Sequence, residues 1–137
     1  MTLKTVLFVA AAVAASFTIP SASAQQPGRV FELRTYTCNE GKLPDLLARF
    51  RDHTMTIFER HGMTSIAYWV PQDAPLSRNT LIYVIAHASR EAAKKNWAEF
   101  GKDPEWQKVQ KDSEANGKIV TKVESVFMDP TAFSPMK

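Results

Sequence analysis

Hydrophobic and polar positions first fall into step at Val30. Over VFELRTYTC, Val30 to Cys38, they alternate, with Phe31, Leu33, Thr35 and Thr37 on one side and Glu32, Arg34 and Tyr36 on the other. The run is rich in the β-branched and aromatic residues that suit a pleated strand. After the turn Asn39-Glu40-Gly41 the period lengthens, and Leu43, Leu46, Leu47, Phe50, Thr54, Ile57, Phe58 and His61 share one stripe of a helix. Pro44 is tolerated at its start, where first-turn N–H groups lack helical partners anyway. Gly62 supplies a left-handed residue just past its end, and His61 in the last turn suits the helix dipole.

The second half repeats the alternation of periods. Thr64 to Val70 reads as a strand stopped by Pro71, and the polar segment Gln72 to Asn79 as a surface loop. TLIYVIAHA, Thr80 to Ala88, is apolar nearly throughout, as expected of an interior strand covered on both faces. Ser89 is a good N-cap for a helix carrying Ala93, Trp97 and Phe100; the pattern breaks at Gly101 and restarts at Asp103-Pro104. Trp106, Val109 and Ser113 continue an apolar to small stripe until Gly117, Val120 to Met128 forms a fourth strand, and a proline-containing tail follows. The order β-α-β-β-α-β with right-handed crossovers predicts an α+β, ferredoxin-like fold, an antiparallel sheet with both helices on one face. In the fourth strand Val120, Val126 and Met128 alternate opposite Val123 and Phe127, so the uncovered sheet face is apolar as well. An exposed apolar face of that size marks an interface, and a sheet-to-sheet homodimer would bury it.

The first residues belong to a different kind of segment. Lys4, the apolar run Val6 to Phe17 and Ala22-Ser23-Ala24 make a secretory signal over residues 1–24, with cleavage expected after Ala24 and a destination in the periplasm or outside the cell. The apolar run has 12 residues, short of the roughly 20 that span a bilayer, so no transmembrane segment is expected in the mature protein. Removing 24 of 137 residues leaves 113, enough for one domain: a short tail over 25–29, a domain over 30–129 and a C-terminal tail over 130–137. Lys4 is the only charge removed, so the net charge falls from +3 to +2, with both signs scattered along the chain. That pattern excludes a nucleic-acid footprint. Cys38 has no partner within the chain, is free or linked to another chain, and lacks the local signature of a nucleophile.

The residues that could carry chemistry each have a plain reading and a functional one. His61, in line with Leu43 and Thr54, points toward the sheet, either as a helix-end group satisfied by a carbonyl or water or as a polar group in a pocket beneath the helices. His53 lies at the edge of the stripe and wets its ring at the surface. Eight residues separate the two, roughly 12 Å along a helix, so they cannot share a metal, and with a lone cysteine no metal site is expected. His87 shares a side of the third strand with Leu81, Tyr83 and Ile85. Glu32, Arg34 and Tyr36 face one way in strand one, and Lys122 and Glu124 face one way in strand four, which suggests cross-strand charge pairing. Alternatively Arg34 and Tyr36 line a cavity and hold an anionic or oxygen-rich ligand. Trp69, Trp97 and Trp106 are bulky enough to be core, which helical spacing makes the default for Trp97 and Trp106, with Trp69 and Trp97 the candidates for a pocket wall. The five scattered glycines form no phosphate loop, nucleophile elbow or dinucleotide fingerprint, so no cofactor is expected.

VFELRTYTCNEGKLPDLLARF, RHGM, LIYVIAHASREAAKKNWAEFGKDPEWQKV and VESVFMDPTAFSP together resemble a NIPSNAP domain from Val30 to Pro135, with Trp97-Ala98-Glu99-Phe100 followed by Asp103-Pro104-Glu105-Trp106 as the most specific part. The resemblance implies a dimeric α/β barrel, a superfamily that includes cofactor-free monooxygenases, haem-degrading enzymes and plain binding modules, so it assigns no reaction. Two readings stand. In the first, ahead of the other, the protein is an exported homodimeric module that binds a small apolar or aromatic molecule, or a protein partner, without turnover. In the second it is a small cofactor-independent enzyme of monooxygenase or isomerase type, with His61 or His87 as acid/base and a tyrosine or Arg34 orienting the substrate.

Overall fold

The computed structural model describes residues 28–137. The expected signal segment 1–24 and its cleavage site lie outside these described residues. Four strands, β1 (Val30–Cys38), β2 (Thr64–Trp69), β3 (Thr80–His87) and β4 (Val120–Met128), form one antiparallel sheet in the order β2-β3-β1-β4. Between β1 and β2 run α1 (Leu43–Arg49), a π-helical turn (Phe50–Thr54) and α2 (Met55–Arg60); between β3 and β4 run α3 (Arg90–Lys102) and α4 (Pro104–Ser113). This is the ferredoxin-like arrangement, with its core between the helices and one face of the sheet. Leu46, Ile57, Phe58, Met63, Tyr83, Ile85 and Ile119 are its most deeply buried members.

The helix after β1 departs from a continuous α-helix. The wider turn at Phe50–Thr54 holds one extra residue, and the Thr54 hydroxyl donates to the Arg49 carbonyl at 3.2 Å. Its effect on facing is geometric. At about 100° per residue Phe58 would stand roughly 80° away from Phe50, whereas the inserted residue brings the two nearly into line. Both are buried, and their ring centroids lie 5.9 Å apart.

Further along, α3 runs through Gly101 to Lys102 and does not break at the glycine. Glycine inside a helix costs only about 1 kcal/mol, whereas a following proline drives the residue before it out of the helical region. Asp103 is accordingly extended, at φ −63° and ψ 119°, and ends one helix while capping the next. α4 also stops at Ser113, short of Gly117.

Strand register corrects the expected charge pairing. Glu32 lies opposite Phe127, Arg34 opposite Ser125 and Tyr36 opposite Val123, while Glu124 and Lys122 lie opposite Thr35 and Thr37. Opposed residues share a face, so Lys122 and Glu124 point away from the helices and pair with each other at 2.9 Å. The β1 face read as polar is thus the one beneath the helices, and the more apolar face is open. β3 is interior in the sheet but not covered on both sides, since Ile82 and Val84 are only half-buried on the open face. Trp69 and Val126 on that face are 52% and 54% exposed. The C-terminal tail crosses one end of it, enclosing an apolar groove of about 430 Å³ with Phe31, Ile66, Trp69 and Met128. Among the described residues no helix is long and apolar enough to cross a membrane.

Candidate ligand-binding site

The helix face of β1 carries Glu32, Arg34 and Tyr36, and each meets a different environment. Glu32 is 1% exposed, a position that a carboxylate occupies only when fully paired. Four elements supply its partners. Trp97 Nε1–H of α3 donates to Oε2 at 2.7 Å, and His87 Nε2 of β3 lies 2.9 Å from the same oxygen. The Ser125 hydroxyl of β4 and Arg34 Nη1 of β1 donate to Oε1 at 2.7 and 2.8 Å. Burial opposes ionisation of Glu32, but these hydrogen bonds outweigh it and bring its pKa down to about 2. Glu32 is therefore a fixed anion that ties the sheet to α3.

That anion holds two walls of a site in place. The Arg34 guanidinium stacks over Trp97, with Cζ 4.1 Å from the ring centroid, and reaches toward Tyr36 at 5.4 Å. Its Nε is buried without a partner. With Arg90, Lys94 and Ser125, the Glu32, Arg34 and Trp97 side chains line an open polar cavity of about 580 Å³. Tyr36 belongs to a second cavity of about 290 Å³, between the helices and the β4 edge, with Phe50, Phe58, Phe100, Trp106 and Arg49. Its rings form a connected series, Tyr36 to Phe50 at 5.9 Å, Phe58 to Phe100 at 5.0 Å and Phe100 to Trp106 at 4.5 Å.

The structure thus brings together Arg34, Tyr36 and Trp97 and separates them from Trp69, which sits on the opposite, open sheet face. Neither proposed acid/base histidine faces these cavities. The His87 side chain is fully buried, with Nε2 on Glu32 and Nδ1 3.4 Å from Asn96 Nδ2, a pattern suited to the Nε2–H tautomer. His61 does not point toward the sheet: its Nε2 lies 2.6 Å from Asp103 Oδ2, which also accepts from Arg60 Nη2 at 2.6 Å. Hydrogen bonds from Arg60 and then His61 hold the Asp103 carboxyl well below the usual range. The helix-end reading of His61 thus fits, with a carboxylate in place of the carbonyl or water. His53 is exposed. Cys38 is 4% exposed in the core and free, and burial pushes its thiol pKa up. Among the described residues no group of three or more His, Cys, Asp or Glu could hold a metal.

Sequence reading missed four members of the site. Phe50, Phe58 and Phe100 were assigned to buried stripes, and only the π turn reveals that two of them continue one wall. Arg49 was not singled out, although it follows Leu46 by three positions on the buried side of the helix.

A four-stranded antiparallel sheet covered on one face by helices, with a cavity in the layer between, defines an α+β protein of the ferredoxin-like type. The NIPSNAP domain matches residues 31–135, and the chain belongs to the NIPSNAP family. A NIPSNAP family protein of Agrobacterium tumefaciens is similar at 24% identity, over 80% of this chain and 100% of that one, with a TM-score of 0.69. A NIPSNAP domain protein of Burkholderia xenovorans is 24% identical over 77% of this chain and 98% of its own, at a TM-score of 0.65. SnoaB of Streptomyces nogalater, a cofactor-independent oxygenase, shares the fold at 13% identity, covering 78% of this chain and 97% of its own, with a TM-score of 0.53. Among curated proteins none matches the chain in sequence.

Proposed function

We propose that this NIPSNAP protein is an exported homodimeric module that binds a small apolar or aromatic molecule in the aromatic-lined cavity without turning it over. The observation that carries the reading is one wall of the cavity of about 290 Å³, built from Tyr36, Phe50, Phe58, Phe100 and Trp106, with polar residues such as Gln110 and Glu114 opposite. An apolar cavity of roughly 150 Å³ already holds benzene, so the space suits a substituted ring. Proton transfer has less support, because the His87 side chain is fully buried against Glu32 and His61 is engaged by Asp103. The oxygenase or isomerase alternative would need one of these imidazoles to leave its partner and reach the substrate. Dimerisation is supported by the open face, where Trp69 and Val126 are half-exposed and a second copy related by a two-fold axis would cover them. Export rests on the signal pattern of residues 1–24.

Ligand-detected NMR with p-cresol, combined with an oxygen electrode, tests the site and the absence of turnover together. Val123 is 46% exposed on β4 and lines the cavity, so Val123→Phe narrows it without disturbing the core. Saturable binding is expected in the wild type, weakened on the order of tenfold in Val123→Phe at unchanged melting temperature, with no oxygen uptake. Equal binding by the variant contradicts the site, and consumption of p-cresol with oxygen uptake favours the enzyme.

A further inference from the structure

The aromatic cavity holds one charge that an apolar pocket does not explain. Arg49, the last residue of α1, has a side chain only 4% exposed, and a buried guanidinium is costly unless its donors are well used. Those of Arg49 are not. Nη1 reaches Ser113 Oγ at 3.3 Å and Glu114 Oε1 at 3.5 Å, both beyond the usual range for strong hydrogen bonds. Glu114 Oε1 also accepts from the Ile119 N–H at 3.3 Å, so that carboxylate is shared. Arg49 Nε is buried without a partner. The Trp106 ring, its centroid 5.3 Å from Cζ, adds a cation–π contact but accepts no conventional hydrogen bond from Nε.

Arg49 also separates two cavities of opposite character. On one side lies a polar groove of about 500 Å³ whose acids Asp45, Asp52, Glu105 and Asp112 are each paired with a basic side chain, Lys42, Arg51, Arg60 and Lys108 in turn. On the aromatic side Arg49 stands with Lys118 and Glu114. The cations around the first groove are thus already engaged by carboxylates, whereas the Arg49 guanidinium between the two is under-used.

We propose that Arg49 recognises the carboxylate of a small aromatic acid whose ring occupies the aromatic cavity, an inference that rests on the binding reading above. A carboxylate is planar and accepts two parallel N–H bonds from a guanidinium, so it would use the idle Nε donor together with an Nη, a charged two-point match that a primary amide with its single acceptor oxygen does not offer. Lys118 is exposed at the solvent side of the cavity and Lys122 pairs with Glu124 on the open sheet face, so water and salt screen both and neither orients the ligand.

Calorimetric titration with benzoate, with benzamide as its neutral isostere and with p-cresol, separates the possibilities. In the wild type benzoate is expected to bind on the order of 30-fold tighter than benzamide, the scale set by one buried charge-assisted pair. Arg49→Gln should remove the preference, and the double variant Lys118→Ala, Lys122→Ala should keep most of it. Equal binding of benzoate and benzamide in the wild type overturns the Arg49 assignment, as does a preference that survives Arg49→Gln. Failure of all three probes to bind removes the aromatic-cavity reading itself. Should Arg49→Gln not fold, arginine Nε–H spectra of the wild type decide: benzoate must shift the Arg49 resonance and benzamide must not, and an unmoved resonance overturns the proposal.

Discussion

Glu32 is a carboxylate at the bottom of the helix–sheet layer, and its ionised state has a measurable signature. Its pKa falls from 4.5 to about 2 on folding, so the stability it contributes is present in full above about pH 4.5 and is lost as the pH falls toward 2. The loss is on the order of 3 kcal/mol over that window. Glu32→Gln should lower stability at neutral pH and flatten the acid limb of urea denaturation midpoints; an unchanged slope would mean that another carboxylate carries it. Sequence alternation already set Glu32, Arg34 and Tyr36 on one face. The identity of their partners was not legible, because a shift of one residue in strand register exchanges Lys122 and Glu124 for Ser125 and Phe127. Nor could alternation show that Trp97, 65 residues along the chain from Glu32, donates its indole N–H to it.

Among the elements, the helices show where periodicity informs and where it stops. The stripe from Leu43 to Phe58, the Gly62 turn at φ +74° and the caps Ser89 and Asp103 were all readable, because each rests on a local rule of facing, handedness or hydrogen bonding. The π turn was not, since one inserted residue barely disturbs the spacing of apolar positions while rotating everything after it. Asp103 joins three elements: it accepts from Glu105 N–H at 2.8 Å as the cap of α4 and receives Arg60 and His61 from the end of α2. Asp103→Ala should cost about 1 kcal/mol or somewhat more through the lost cap, a fall of roughly 5 °C in melting temperature. His61→Ala, which leaves the cap and Arg60 in place, should cost less. Both should keep p-cresol binding in the same NMR assay. Loss of ligand with an intact melt in His61→Ala would return His61 to the pocket.

At the scale of the whole molecule the unusual feature is an inversion of expected polarity. The sheet face under the helices carries a glutamate, an arginine and a histidine in paired or cavity-lining positions, while the open face displays Trp69, Val126, Ile82 and Val84. β4 is one of the two edge strands, and apart from Val120, Phe127 and Met128 its residues are exposed. A monomer would leave that face and that edge to water, which favours a second copy as the cover. The order of elements and the apolar character of β4 were enough to anticipate this surface, because topology follows from the sequence of periods. The cavity between helices and sheet required side-chain placement that no period encodes. Native mass spectrometry of the protein purified gently from the cells that make it is the most direct test. The account predicts a dimer carrying a reproducible extra mass of a single-ring aromatic compound, lost from Val123→Phe. A monomer, or a dimer that stays free of ligand even when supplied with p-cresol and benzoate, would contradict it.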